Sequence, residues 1–559
     1  MTRRHLLTRA RRPARLLSLV GVLALVAFAF TAVASADENP QPIDFVHNVV
    51  DAPAPVTGTE WSNGPKVKTG QAICTTATTT AANVNTDCEE NGPHNETSIA
   101  VNPTDTNNMI GGLNDYQLSV NPGGHVGESI LSRAHVTLDG GKTWSEYPLY
   151  SSSTYQATGD PSVAFDATGR AYYATLGFRF VGPANVQSAD VLVANSEDQG
   201  KTWDVHRVAA GSGVGTSVGD FLDKEYVAAW GDGNAIVTFG DFRQVQKGAV
   251  VSANIYDSVT HDGGKTWSKP TKVSDSLNES FGSVPAVTAD GRIFVSFLNT
   301  PDSRLSDPSA ADFGRDDYMV QQVDPTSGAP IGDVANVGEV YDGYWDYPWA
   351  FGRQTYQDSV FRTWAFGNIT TDPTNPDHLA VVWSDMRNSP GTPYPPFADP
   401  YTVSTNSDVV VSESTDGGQT WSTPAAYAIP GDQFMPWAAF DGNGTLRVGT
   451  FDRSYDASNH EYGYTLLTGT PTSYTSTQVT TALSDPTMND RWFSGLTLND
   501  SYPRPTEFLG DYSNIAAVPG SGSGIVAYWT DMRQLDCWPS TDTSCGLHGE
   551  DGYFARVGS

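Results

Sequence analysis

A chain of 559 residues can fill one large domain or several small ones, and its formal charge of −31 makes it strongly acidic. Nucleic acid and anionic lipid both need a basic footprint on their partner, so neither is expected to bind here.

In chain order, the first element is an export signal. Arg3, Arg4, Arg9, Arg11, Arg12 and Arg15 form a basic start, Leu16 to Val33 carries no charge, and Ala34-Ser35-Ala36 offers a small-residue cleavage pattern. Residues 1–36 are therefore expected to be removed, leaving a secreted, extracellular chain that begins at Asp37. Thr2 to Leu7 also loosely fits a twin-arginine signal. An uncleaved anchor is the alternative, because eighteen apolar residues can just span a bilayer. No later segment is apolar enough to cross, so no membrane partner is expected after cleavage, and a monomer is. Loss of the six arginines takes the formal charge to −37.

Residues 37–93 read as an N-terminal strand, Phe45 to Val50, followed by a surface segment rich in Thr, Ala, Asn and Gly. Four cysteines lie in two close pairs, Cys74 with Cys88 and Cys537 with Cys545. An exported chain can oxidise them, and close spacing favours two local loops, although four cysteines permit three pairings. Neither pair has the form of a zinc site.

From residue 94 to 559 the chain repeats. One motif recurs four times, as Thr137-Leu-Asp139-Gly-Gly141-Lys-Thr143-Trp144 and at 196–203, 260–267 and 414–421. Each copy follows a β-rich run such as Val191 to Ala194 or Val409 to Val411. Asp and Ser or Thr bond neighbouring backbone, Gly supplies positive φ and Trp anchors the next strand, so each copy predicts a hairpin turn. Between the boxes, strand–turn–strand units begin near Thr97, Pro161, Tyr226, Val284, Trp364, Pro436 and Ser513. Units four and six lack a box, and unit seven is short enough to need a strand from the N-terminus. This predicts an all-β fold, a β-propeller of four-stranded blades, with seven blades preferred and six as the alternative.

The boxes resemble the Asp-box (BNR repeat) of bacterial sialidase-like proteins, where it joins the third and fourth strands of a propeller blade. The resemblance covers the whole mature chain. It implies a secreted glycoside hydrolase acting on an extracellular glycan or glycoprotein, acidic ones included, with a non-catalytic glycan- or protein-binding propeller as the alternative. Sialidases hold the substrate carboxylate with three arginines, one from an Arg-Ile-Pro motif. No such motif occurs here, and Arg292-Ile-Phe294 lies inside a strand.

Strand order places the chemistry. If the boxes are third turns, entries to first strands and exits from second strands share the opposite face, where a central mouth would lie. Entries carry Glu96, Asp160, Asp223, Glu225 and Asp511, candidates for acid, base or nucleophile, with Tyr512 beside them. Exits carry Arg243, Arg387, Arg453 and Arg533, candidates to clamp a substrate carboxylate, and Asp115 in the matching place of unit one. The repeated Asp-x-Arg can equally be a structural ion pair within each blade. Tyr341 to Trp349 and Tyr356 form an aromatic stretch that reads either as a sugar platform or as packing in place of a missing fourth strand of unit four. No cofactor or metal site is implied, although an Asp-rich loop could take structural calcium.

Overall fold

The computed structural model describes residues 70–558 except 89–92, 121–125, 150–154, 156, 181–185, 213–218, 246–248, 275–278, 302–314, 342–343, 347–352, 360, 391–403, 487–508 and 535–548. Strand β1 (Val84–Asn85) precedes the first blade, which contains β2 (His94–Val101), β3 (Met109–Val120), β4 (Val126–Thr137) and β5 (Ser145–Pro148). Blade two runs β6 (Ala157–Phe165), β7 (Ala171–Phe180), β8 (Val186–Ser196), β9 (Asp204–Ala209). Blade three runs β10 (Gly219–Trp230), β11 (Asn234–Val245), β12 (Ala249–Thr260), β13 (Thr271–Lys272). Blade four follows as β14 (Ser280–Val287), β15 (Ile293–Asn299), β16 (Asp317–Val323), β17 (Pro330–Glu339). A small hairpin, β18 (Tyr344–Asp346) and β19 (Arg353–Thr355), leads to blade five: β20 (Asn368–Asp372), β21 (Asn375–Asp385), β22 (Asp408–Ser414), β23 (Ala425–Ala426). Blade six is β24 (Gln433–Phe440), β25 (Leu446–Asp452), β26 (Gly463–Thr470), β27 (Ser473–Gln478). The last blade has β28 (Asn514–Ala517), β29 (Ile525–Asp531) and β30 (Asp551–Val557), with β1 as its outer strand.

The protein is thus a seven-bladed β-propeller of four-stranded antiparallel sheets. Each innermost strand packs on the next, from β2 through β6, β10, β14, β20 and β24 to β28, and β28 packs back on β2. Middle strands such as β8 and β22 are buried on both faces by neighbouring blades, which is why they read as continuous apolar runs rather than alternating ones.

Ring closure differs from the expectation in its details. Phe45 to Val50 lies outside the described residues, and the strand that completes the last blade is Val84–Asn85, paired with Phe554 and Tyr553. Residues 73–79, expected as plain surface, run along β5: Ile73 N donates to Glu146 O at 2.8 Å and Thr76 N to Trp144 O at 2.8 Å. An edge strand leaves unpaired main-chain groups, and this segment satisfies them. Cys74 and Cys88 form a disulfide. Cys537 and Cys545 lie outside the described residues.

All four boxes join third to fourth strands, in blades one, two, three and five. Asp139 Oδ1 accepts from Lys142 N at 2.9 Å and Thr143 N at 3.0 Å, and its Oδ2 accepts from Thr143 Oγ1 at 2.7 Å. These bonds stabilise the charged carboxylate, and at Asp262 the same arrangement, led by the Thr266 hydroxyl, lowers the pKa to about 2. Gly141 has φ of +97°, and a Cβ there would lie 2.1 Å from the Phe554 ring, so the turn presses directly on blade seven. Trp144 is fully buried against Phe554, while Trp203, Trp267 and Trp421 are half-buried. Blade four keeps its fourth strand, β17, so nothing has to replace it. Tyr341 instead stacks under Arg315, 4.0 Å from ring centroid to guanidinium carbon, and Tyr356 is buried against Phe361 and Phe434. Trp349 lies outside the described residues.

Candidate active site at the propeller axis

The innermost strands do not run straight toward the axis. Five of them carry the same bulge: Asn95 to Ser98, Gly159 to Ser162, Asp223 to Tyr226, Phe281 to Val284 and Phe434 to Trp437. In each, two residues oppose one, and the first of the two is in the left-handed region: Glu96 (φ 56°), Asp160 (57°), Lys224 (53°), Gly282 (65°) and Met435 (49°). A bulge of this kind re-aims a side chain. Non-glycine residues held there cost about 1–2 kcal/mol each, so the surroundings over-determine them.

The re-aimed charges meet. Lys224 Nζ lies 2.6 Å from Asp511 Oδ2, 2.8 Å from Asp160 Oδ2 and 3.3 Å from Glu96 Oε1, drawing together blades one, two, three and seven. Arg362, which precedes β20, forks onto Asp511, with Nε 2.6 Å from Oδ1. Its Nη2 also lies 3.7 Å from Glu96. Asn114 Nδ2 donates to Glu96 Oε2 at 2.9 Å while its Oδ1 accepts from Asp160 N at 2.8 Å. Gly510, at φ +83°, lets the chain pass Glu96 where a Cβ would stand 2.7 Å from the Glu96 amide nitrogen. Every charged member is buried, none more than 7% exposed at its side chain.

Beside this network stand two further carboxyl groups. Asp223 Oδ1 accepts from Lys224 N at 3.0 Å. Neither carboxylate oxygen of Glu225 has a hydrogen-bond partner among the described residues, although the side chain is buried. Burial, with Asp160 nearby, raises the Asp223 pKa to about 7 and lifts Glu225 and Glu96 well above the usual carboxylate range. Burial alone would lower the Lys224 pKa, but Asp160, Asp511 and Glu96 outweigh it and keep the ammonium charged. The rest of the centre is aromatic. Tyr512 donates to Pro161 O at 3.2 Å, lies 5.4 Å from Lys224 Nζ and meets Tyr226, which stacks on Trp437.

The structure therefore brings Glu96, Asp160, Asp223, Glu225, Asp511 and Tyr512 to one place. Two residues that sequence reasoning passed over, Lys224 and Arg362, hold the carboxylates together. Both sit at the same unit entries as the acids, and that shared position was the available signal.

The exit arginines go elsewhere. Arg387 is engaged by its own Asp385, with Nε–Oδ1 2.9 Å and Nη2–Oδ2 2.8 Å, while Trp383 Nε1 donates to Asp385 Oδ2 at 3.0 Å. Arg533 repeats this with Asp531 and Trp529, at 2.8 and 2.6 Å, and stacks on Tyr553. Arg453 is fully buried, donating to Ser359 Oγ at 2.7 Å with Asp432 3.6 Å away. Arg243 is half exposed and pairs with Asp220 at 3.1 Å. Asp115 turns into a different network, between His94 Nε2 at 3.3 Å and Arg133 Nε at 3.1 Å.

No protein-family profile matches the chain, and no curated protein matches it. Among solved structures, an α-L-arabinofuranosidase from Fusarium graminearum is 13% identical over 85% of this chain and 98% of its own, with a TM-score of 0.39. A Hadza microbial sialidase is 11% identical, covering 78% and 75%, with a TM-score of 0.39. An ulvan lyase is 9% identical, covering 68% and 80%, with a TM-score of 0.40.

Proposed function

We propose that the protein is a secreted glycoside hydrolase whose reacting groups are the carboxyls at the propeller axis. One observation carries this reading: three carboxyl groups, from blades one, two and seven, converge on two cations, leaving the carboxyls of Asp223 and Glu225 beside them, outside the ion pairs and with pKa values raised by burial. Glycoside hydrolysis needs one protonated carboxyl to protonate the leaving oxygen and negative charge to stabilise an oxocarbenium-like transition state. Glu225 and Asp223 suit the first task, and the ion-paired Asp160 and Asp511 suit the second. A neutral glycan fits better than an acidic one, because the arginines that would clamp a carboxylate are already paired with aspartates. Hydrolysis of a panel of fluorogenic pentosides, hexosides and sialosides tests it. Turnover of a neutral glycoside is expected, and sialoside turnover alone contradicts the substrate class.

The burial of every member of the cluster favours a second reading, in which the network is a structural plug and the propeller binds glycan or protein without turnover. No turnover on any glycoside, with stability lost in axis variants, selects it.

A further inference from the structure

The seam where the ring closes holds a second group of side chains that the axis chemistry does not use. Asp87 follows the closing strand β1, His94 opens β2 of blade one, and Asp551 opens β30 of blade seven. One ligand atom from each lies within 4.8 Å of the others, and all three residues are buried. Main-chain bonds fix the three independently of their side chains. His94 N donates to Glu550 O at 2.6 Å and Thr86 N to Gly552 O at 2.9 Å, so Asp551 is gripped on both sides. Asp87 sits between that Thr86 bond and Cys88, whose N donates to Glu146 Oε1 at 2.8 Å and whose sulfur is bridged to Cys74.

We propose that Asp87, His94 and Asp551 form a binding site for one divalent transition-metal ion of the Zn2+ class, which pins the last blade to the first. Three features of the geometry support it. His94 Nδ1 and Asp87 Oδ2 are 3.4 Å apart. That is long for a hydrogen bond, and it is roughly the separation that two tetrahedral ligands with bonds of about 2.0–2.1 Å impose on each other. Neither ring nitrogen of His94 makes a hydrogen bond of good geometry, although the side chain is 1% exposed. On its far side, Nε2 faces Asp115 Oδ1 at 3.3 Å, and Asp115 is in turn held by Arg133 at 3.1 Å. A carboxylate behind a metal-bound imidazole, itself anchored, is how proteins fix the tautomer and orientation of such a ligand.

Donor chemistry narrows the ion. One imidazole nitrogen with two carboxylates suits Zn2+ or a neighbouring transition ion, whereas Ca2+ takes six to eight oxygens and gains nothing from a histidine. The disulfide removes Cys74 and Cys88 as competing thiolates.

Oxidised, chelator-stripped protein is loaded separately with Zn2+, Mn2+ and Ca2+, desalted, and assayed for bound metal and melting temperature. One Zn2+ per chain and a rise in Tm of several degrees are expected, with no effect of Ca2+. His94→Gln and Asp551→Asn should each abolish stoichiometric retention. Should either variant fold poorly, wild-type protein loaded with Co2+ decides: visible d–d bands without a thiolate charge-transfer band are expected. Wild-type protein that retains no Zn2+ overturns the proposal. So does unaltered retention in both variants, or stabilisation by Ca2+ alone.

Discussion

Arg387 and Arg533 look alike in sequence and behave alike in the structure, each bidentate on the aspartate two residues before it. Asp385 and Asp531 are buried, so removing the guanidinium leaves each carboxylate without its counter-ion, although the neighbouring Trp indole and a backbone amide still bond it. Arg387→Ala and Arg533→Ala should each lower stability by about 1–3 kcal/mol in urea unfolding. Arg243→Ala, half exposed and screened, should change it by less than about 0.5 kcal/mol. Equal losses at all three sites contradict this ranking. Asp257 makes the opposite case. Burial raises its pKa to about 8, and neither carboxylate oxygen finds a hydrogen-bond donor among the described residues. Asp257→Asn removes the cost of ionising it, so its Tm at pH 8 should rise above wild type, and the gain should shrink toward pH 4. A variant less stable than wild type at pH 8 contradicts the assignment.

At the scale of elements, the turns were far more legible than the bulges. Asp, Gly, Thr and Trp at fixed offsets announce a turn because each residue does a separate local job, and four copies expose it. Asp139→Ala removes four acceptor bonds from backbone and hydroxyl groups at 2.7–3.0 Å. Thermal unfolding should show a loss of about 1–3 kcal/mol, and an unchanged Tm contradicts the role assigned to the turn. The inward bulges carry no such signature. Glu96, Asp160, Lys224 and Met435 adopt positive φ without being glycine, and only tertiary packing holds them there. Strand order was therefore enough to send the acids to one face. It sends Lys224 and Arg362 to that face as well, but position alone does not pair them with the acids or bury the centre. Two of the exit arginines misdirect for a related reason: at Arg387 and Arg533 the Asp-x-Arg spacing repeats because the pair closes on itself. The closing strand was legible as a need of the short last unit and illegible in place, since Val84–Asn85 is too short to announce itself.

Over the whole molecule, the carboxyls raised by burial set the pH response. Asp223 and Asp408 sit near 7, Asp257 near 8 and Asp241 near 6. In the unfolded chain each returns to about 3.9. The native state then holds more protons than the unfolded state between about pH 4 and 8, so stability falls as pH rises across that window. The raised pKa of His94 acts in the same direction. Apo protein should melt higher at pH 5 than at pH 8, and the reverse order contradicts this account. The same protonation makes the proposed chemistry testable. If Glu225 and Asp223 supply the proton, kcat/KM for a neutral fluorogenic glycoside should fall as pH rises through about 7, the value to which burial lifts Asp223. Glu225→Gln should lose roughly 10²–10⁴-fold in kcat while still binding substrate. The most direct test is therefore the pH–rate profile of wild type beside Glu225→Gln. An alkaline limb near 7 in the wild type, with turnover lost in the variant, is the predicted result. A flat profile, or a variant as active as wild type, contradicts an acid–base centre at the propeller axis.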